Sequence, residues 1–572
     1  MRVAIFGAGV AGLSVAHELV ERGIEVDVYE RLPMAGGKAR SIVIQREAQR
    51  GLPGEHGFRY FPGFYRHVID TMSRIPRPGG GTVADNLVDA MAGNFAEVGY
   101  PPVMINTVGP TSLADLVAGL RSIEGFVRAV SLPELEFFAG KLWQVMTSCR
   151  ERRLAEYEDQ SWSTFLEADA RSAAYNTWFA GAMTHTLIAA SGAQASSRTV
   201  GDITVQLVTT STQPGKPGDR LLNAPTSEAW IDPWLAHLES SGRFHLHTDH
   251  RLLALRVEDT SCVGAEVSCD GRVSTVTADV YVSAVPVEVL APLVTDPMAA
   301  TAPTLGLTRL LADHVQWMAG IQIYLKRDTP IVAGHTMYVG SEWGLTSVSQ
   351  QQFWPRDKLA DLTDGRVNGV LSVDISDWTS PGTNGKAAKD CSPDEVCTEV
   401  LAQIRACLAD APGVDLGDDN IDSYFIDPDV VFFDGHAGVA ENYEPLLVND
   451  MGTWWIRPNA WTEIPNLYLA GDFVRNNTDL ATMEGANEAA RRAVNAIIRG
   501  ERLDAPLCQL WDVHEPELFA PLRWIDARRF AKGKPWSAHF PRPMRWLAAL
   551  MTRWEPARTT ATGAIDRGMR RR

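Results

Sequence analysis

The alternation of apolar and polar positions changes character several times along the chain, and each change predicts a different kind of element. Val3, Ala4, Ile5 and Phe6 form a short apolar run of the kind a buried strand shows, and Gly7-Ala8-Gly9-Val10-Ala11-Gly12 follows at once. Leu13, Ala16, Leu19 and Val20 then recur at helical spacing, and residues 24–29 form a second apolar strand closed by the acid Glu30. From about residue 112 to residue 208 the spacing is helical and glycine is sparse, first at Leu113, Leu116, Val117 and Leu120, then at Leu135, Phe138, Leu142, Val145 and Met146. Trp162, Phe165, Trp178, Phe179, Met183 and Leu187 keep this stretch apolar. Residues 211–219 read as coil. A helix over 227–240 precedes short strand-like runs at 244–247, 252–257, 264–269, 272–277 and 280–284, with Asp270-Gly271 as a hairpin turn. Residues 304–434 mix both patterns, with a strand over 319–325 and an amphipathic helix over 394–408. A buried strand at 467–470 and a helix beginning at Thr482 or Met483 close the regular part.

The order strand, glycine loop, helix, strand, acid carries a specific chemistry. Gly7 permits the tight turn, Gly9 lets main chain approach a pyrophosphate, and Gly12 lets helix and strand pack closely. The helix N-terminus around Ala11 offers unpaired N–H groups to the anion, and Glu30 sits where a carboxylate meets ribose hydroxyls. These features predict an α/β fold with a Rossmann-type dinucleotide site. Arg31, Gly36, Gly37, Lys38, Ala39 and Arg40 come next, and suit either a loop running along a diphosphate with cations nearby or a plain solvated turn.

Together, the first strand, Glu30 and the Gly36–Arg40 stretch resemble the FAD-binding start of the flavin amine oxidase and phytoene desaturase superfamily. Residues 54–65, Gly-Glu-His-Gly-Phe-Arg-Tyr-Phe-Pro-Gly-Phe-Tyr, are similar to the G-x-H-x-F-F-x-x-Y segment of carotene desaturases and hydroxysqualene dehydroxylases, and depart from it at Glu55 and Pro62. A second match lies far down the chain, in residues 464–473 and 482–492. The resemblance implies tightly bound FAD, with Gly471 and Asp472 at the pyrophosphate and ribityl chain and Met483, Glu484 and Gly485 at the isoalloxazine. It also implies Leu252 main chain at the adenine and Ala284 on the strand returning to the cofactor. The implied architecture is a Rossmann-type, GR2-like FAD domain (residues 1–110, 226–300 and 441–505), interleaved with a mixed-sheet substrate domain (301–440) and a helical cap (111–225). Glu55, His56 and Arg59 are the nearest catalytic candidates, although His56 reads equally well as a structural residue. The desaturase branch implies an apolar isoprenoid substrate dehydrogenated by hydride transfer to flavin, with a quinone or O2 as electron acceptor. Amine oxidation, redox-neutral isomerisation of a lipid and a non-catalytic flavoprotein scaffold remain the alternatives.

Composition narrows this picture. The chain has 572 residues, 45% of them hydrophobic, which is too long for one core and ordinary for a globular protein. A formal charge of −17 argues against nucleic acid as partner. The seven cysteines are scattered with no CxxC pair, so reduced thiols and no metal site are expected. No signal-like segment precedes the first strand and no apolar run is long enough to span a bilayer, so a cytoplasmic location is expected. The charge is uneven, because residues 506–572 form a basic tail. Arg523, Arg528, Arg529, Lys532 and Lys534 alternate there with Trp524, Phe530 and Trp536, and residues 544–554 place Leu547, Leu550, Met551 and Trp554 at helical spacing. This tail suits either the surface of an anionic membrane or docking on the acidic body of the same chain.

Overall fold

The computed structural model describes residues 1–45, 51–108, 125, 130–182, 184–185, 190–211, 218–411, 413–435 and 437–537. Leu113 to Leu120, Met183, Leu187, most of the 211–219 linker and the 544–554 segment lie outside the described residues.

Five parallel strands form the central sheet, in the spatial order Phe244–His247, Glu25–Tyr29, Arg2–Phe6, Val280–Ser283, Leu467–Leu469. Its strands come from both ends and the middle of the chain, so one sheet unites what the sequence separates. The Arg2–Phe6 strand is buried from Val3 to Phe6, because a parallel sheet is covered on both faces. Helices Val10–Val20 and Met483–Gly500 pack side by side, and they share the core with Ala489, Ala490, Ala493, Val494 and Ile497. A three-stranded meander, Arg251–Glu258, Ser261–Cys269 and Arg272–Val276, follows the expected pattern. Asp270 and Gly271 take φ of 48° and 73°, the left-handed pair that a type I′ hairpin requires.

Seven strands form the second sheet, in the order Ile421–Ile426, Ala319–Leu325, Gly369–Ile375, Leu345–Ser349, Gly334–Val339, Ala92–Glu97, Val103–Asn106. The last two correct the sequence-based boundary at residue 110: residues 92–106 pair with Gly334–Val339 and so belong to this second sheet. One face of the sheet is covered by helix Pro393–Cys407, whose Val396, Val400 and Ile404 meet Ile321, Leu371, Val373 and Ile375. Trp343 and Trp378 belong to this core, and Trp343 donates its ring N–H to Ser380 O. The other face looks toward the FAD domain.

The cap is less regular than its periodicity suggests. Leu132–Thr147 is a full helix opened by a Ser131–Glu134 capping box, but short and π-helical turns follow before helix Ser197–Ser211. Tyr157, Trp162, Phe165, Tyr175, Trp178 and Phe179 fill a separate core there. Among the described residues, no helix is long and apolar enough to cross a membrane.

Candidate active site

Glycine makes the first half of the site possible. Gly7 has φ of 102°, and a Cβ there would meet Ala284 O at 2.8 Å; a Cβ on Gly12 would lie 1.9 Å from Gly7 O. Across the loop, a Cβ on Gly37 would sit 2.9 Å from Gly9 Cα, and Gly9 bridges Gly36. The two glycine stretches therefore form one main-chain surface with no side chains on it. Helix Val10–Val20 has Gly9 as N-cap, no side-chain cap and no acid in its first turn, so its N-terminal N–H groups meet no competing side chain, as an anion site requires. Ala11 is buried in that first turn.

Glu30 is buried beside this surface, accepting the Ala8 N–H over 2.7 Å and the Leu32 N–H over 3.0 Å. Burial raises its carboxyl above the usual range against the pull of those two donors. The cations behave differently from expectation. Arg40 is buried, and its guanidinium bonds Gly37 O (2.9 Å), Glu444 (3.0 Å), Asp427 (3.2 Å) and Asp429 (2.8 Å). Arg31 reaches the same acids, Asp429 at 3.0 Å and Glu444 at 2.9 Å. The Arg40 guanidinium is not left for a diphosphate, because a buried charge has to be paired and residues 427–444 supply the partners; Arg31 is exposed and reaches the same acids through one terminal nitrogen. The two arginines instead fasten the glycine loop to the second domain, and the anion is left to main-chain N–H groups. Lys38 bonds Pro445 O and lies 3.6 Å from Glu288. Ala39 and Leu252 are buried, and Ala284 supplies the carbonyl that excludes a side chain at Gly7.

At the other end of the chain, Gly471 follows strand Leu467–Leu469 with φ of 149° and delivers Asp472. Asp472 is half-buried; burial raises its carboxyl, with Lys38 and Arg457 pulling the other way. Helix Met483–Gly500 starts at Thr482, which accepts the Gly485 N–H over 3.1 Å, and Met483 is half-buried at its first position. The Glu484 side chain is engaged within the protein. Its carboxylate accepts the N–H groups of Arg66 (2.7 Å), His67 (2.8 Å) and Val68 (2.9 Å), and His67 Nδ1 at 2.7 Å. It thus caps helix His67–Arg74. Trp511 N–H donates to His67 Nε2 over 3.0 Å, which leaves the ring proton on Nδ1, facing Glu484. Only the main chain of Glu484 is left for a cofactor.

Between these anchors runs the segment carrying the catalytic candidates. Glu55 is buried, its Oε1 accepting from Ser41 Oγ (2.6 Å) and Thr226 N (2.7 Å). His56 lies with Nε2 3.1 Å from Met318 O and Nδ1 3.3 Å from Asp427. Arg59 bonds Gly57 O (2.9 Å), Phe58 O (3.3 Å) and Lys38 O. All three hold the turn in place against its neighbours. What sequence reasoning missed lies beneath them on the second sheet: Asp374, which is enclosed but keeps accessible surface, with Gly320 opposite it. Burial pushes the Asp374 carboxyl up to about 6, opposed by Arg59 and His56. Nearby, Asp219 is likewise pushed up to about 6 by burial, with Tyr60 as hydrogen-bond partner. Burial also drops His335, 5.1 Å from the Tyr60 ring, to about 4. The signal was present as polar residues at alternate positions of an apolar strand, Ser372 and Asp374 within Gly369–Ile375.

Among the described residues, one His/Glu cluster has the spacing of a metal site, His17, Glu21 and His237. It does not fit a cation, because Trp234 donates its ring N–H to His17 Nδ1 over 3.1 Å. The His17 proton is thereby placed on Nε2, the atom facing Glu21 at 3.1 Å.

These residues fit a dinucleotide: a glycine surface with no room for side chains, an uncapped helix end, a ribose-side carboxylate, and a half-buried acid at the far anchor. The fold and site define a flavin-dependent oxidoreductase. Residues 10–498 match the model of the flavin-containing amine oxidoreductase family, and the chain belongs to that family. The zeta-carotene desaturase of Synechocystis sp. is 23% identical over 88% of this chain and 98% of its own length. That of Zea mays is 41% identical over 75 residues, 13% of this chain and 12% of the relative. Among solved structures, a putrescine oxidase overlays with a TM-score of 0.59 at 14% identity, covering 87% of this chain and 99% of that one. An oxidoreductase from Methanosarcina mazei gives 0.55 at 15%, covering 86% and 99%. The cofactor is FAD, and the protein is an FAD-dependent oxidoreductase.

Proposed function

We propose that the protein dehydrogenates an apolar, isoprenoid-like substrate, forming a carbon–carbon double bond, with a quinone or O2 as final electron acceptor. The observation that carries this reading is the similarity to a zeta-carotene desaturase over 88% of this chain and 98% of that relative's length. Bound FAD supplies the hydride acceptor, and the chain supplies position and exclusion of water. Phe58 packs with Val348 and Phe425 of the second sheet in one buried apolar cluster. Amine oxidation is the second reading, favoured by the acids Asp374 and Glu55 beneath the turn. Anaerobic addition of polyene isoprenoids and of an amine panel to the FAD-loaded protein separates the two. Bleaching of the flavin by the isoprenoids alone is expected; bleaching by amines alone would overturn the proposal, and turnover of an isoprenoid without bleaching would point to isomerisation.

The tail is proposed to bring the enzyme to its substrate at an anionic membrane. Helix Ala520–Phe530 is fastened to the cap by Asp526, which accepts from Arg152 Nε (3.0 Å) and Cys149 N (2.9 Å), so docking on the chain's own body accounts for its first part. Leu518, Trp524 and Ile525 nevertheless point outward, with Arg528, Lys532 and Lys534 exposed beside them. Truncation after Pro541 is expected to release the protein from anionic liposomes while FAD stays bound. Unchanged partitioning would remove this part of the proposal.

A further inference from the structure

Residues 471–482 join the two far anchors of the cofactor, Gly471-Asp472 and the helix start at Met483, and one residue of that loop is held in an unusual way. Asp479 has φ of 50°, and of the seven non-glycine residues with positive φ among the described residues it alone is buried, the other six being exposed. A left-handed side chain in the interior persists only where its surroundings fix it, and such positions gather at ligand clamps. The Asp479 carboxylate is held from both sides. Its Oδ1 accepts from Arg457 Nη1 and from Asn449 Nδ2 (3.2 Å), and its Oδ2 accepts from Arg198 Nη2 (2.5 Å) and from the Thr199 hydroxyl. Arg198 Nε also donates to Glu158 over 2.8 Å, so two arginines and two acids balance in one buried set.

The members of this set come from different parts of the fold. Glu158, Arg198 and Thr199 are cap residues, the last two in the first turn of helix Ser197–Ser211. Arg457 belongs to the FAD domain, and besides Asp479 its guanidinium bonds Phe473 O (2.9 Å) and Asp472 O, main-chain carbonyls of the first anchor. The second anchor is one residue away from Asp479: Leu480 O lies so close to the helix start that a Cβ on Gly485 would meet it at 2.5 Å. A shift of Asp479 therefore moves Arg457 against the Asp472 turn and Leu480 against Gly485.

We propose that Asp479 is a positioning residue through which the cap sets both far anchors of FAD, so that seating of the cap and affinity for the cofactor are coupled. A buried ion set adds little stability over an apolar core of the same volume; what this one supplies is a fixed geometry between cap and cofactor loop. The coupling is reciprocal, because two events linked through one set of contacts change each other's free energy equally. A cap pulled away loosens FAD, and bound FAD steadies the cap. The proposal rests on residues 471–485 lying at FAD and is independent of the substrate.

Two measurements on the full-length protein test it: the FAD dissociation constant, and amide hydrogen exchange of helix Ser197–Ser211 with FAD bound and after its removal, taken relative to strand Ala319–Leu325 of the second sheet. Arg198→Ala is expected to weaken FAD about tenfold, and Arg198→Lys, which keeps the charge but reaches only one of the two acids, about threefold. Arg153→Ala removes another buried cap arginine, bonded to Asp202 (2.8 Å) and Glu515, and is expected to leave FAD affinity within about twofold. FAD is expected to slow exchange of the helix about tenfold in the parent chain and not at all in Arg198→Ala. If Arg198→Ala does not fold, Thr199→Val, which loses one bond to Asp479, carries the comparison with FAD about threefold weaker. Unchanged FAD affinity in the Arg198 and Thr199 variants, an equal loss in Arg153→Ala, or helix exchange that ignores FAD in the parent chain would overturn the proposal. Asp472→Ala separates two kinds of failure: weaker FAD there with no effect at Arg198 refutes the coupling alone, and unchanged FAD there refutes the placement of the loop together with the coupling.

Discussion

Single residues decide whether the cofactor surface exists. Gly37 is the sharpest case, because it combines φ of 54° with a Cβ position 2.9 Å from Gly9 Cα. Gly37→Ala is expected to push the two glycine stretches apart and weaken FAD retention about tenfold or more while the fold persists, measured as flavin released on dialysis. The buried acids give a second prediction. Asp219 is held protonated to higher pH in the folded chain than in the unfolded one, since burial raises it from 3.8 to about 6. The folded state therefore binds more protons across that window, and stability falls as pH rises through it. Asp219→Asn does not incur this cost, so its stability relative to the parent chain is expected to improve by about 3 kcal/mol between pH 4 and pH 7, read from urea midpoints. A constant difference across that range would show that burial does not hold the proton on Asp219.

Elements are held by caps and pairs that join distant parts of the chain. Glu484, on the last long helix, closes the N-terminus of helix His67–Arg74, and hydrogen bonds from His67, its ring included, and from Val68 outweigh burial to keep its carboxyl below the usual range. Stability from such a group is present above its unfolded value of 4.5 and is lost as pH falls through the lower folded value. Glu484→Gln is expected to cost about 2 kcal/mol at neutral pH and progressively less below pH 4, read by thermal or urea unfolding. A cost that does not vary with pH would assign the effect to packing.

At this scale the sequence was readable where one element contains its own explanation. The strand, glycine loop and helix of residues 2–20 could be read locally, because each glycine answers a contact within the motif or directly against it. Strand Ala319–Leu325 and helix Pro393–Cys407 were legible from period alone. The fates of Arg31, Arg40 and Glu484 were not, since each is decided by a partner hundreds of residues away that periodicity does not locate. Asp374 escaped notice for a related reason: a polar residue in an apolar strand announces an unusual face, but only the pairing with Gly320 and the turn at Gly57 shows which one.

For the whole molecule, topology and chemistry say the same thing. The central sheet places Arg2–Phe6 one strand away from Leu467–Leu469, with Val280–Ser283 between them, so the glycine loop and the Gly471–Asp472 turn open on the same edge of one parallel sheet. The second sheet closes the other side through the Arg40 and Arg31 pairs to residues 427–444. Cofactor binding and domain docking therefore share one loop, and losing either is expected to loosen the other. The visible absorbance of the purified full-length protein, with the nucleotide released by denaturation identified, tests the account most directly. Stoichiometric FAD that is lost when Gly471 and Asp472 are deleted is the predicted result; colourless protein with no affinity for added FAD would contradict it.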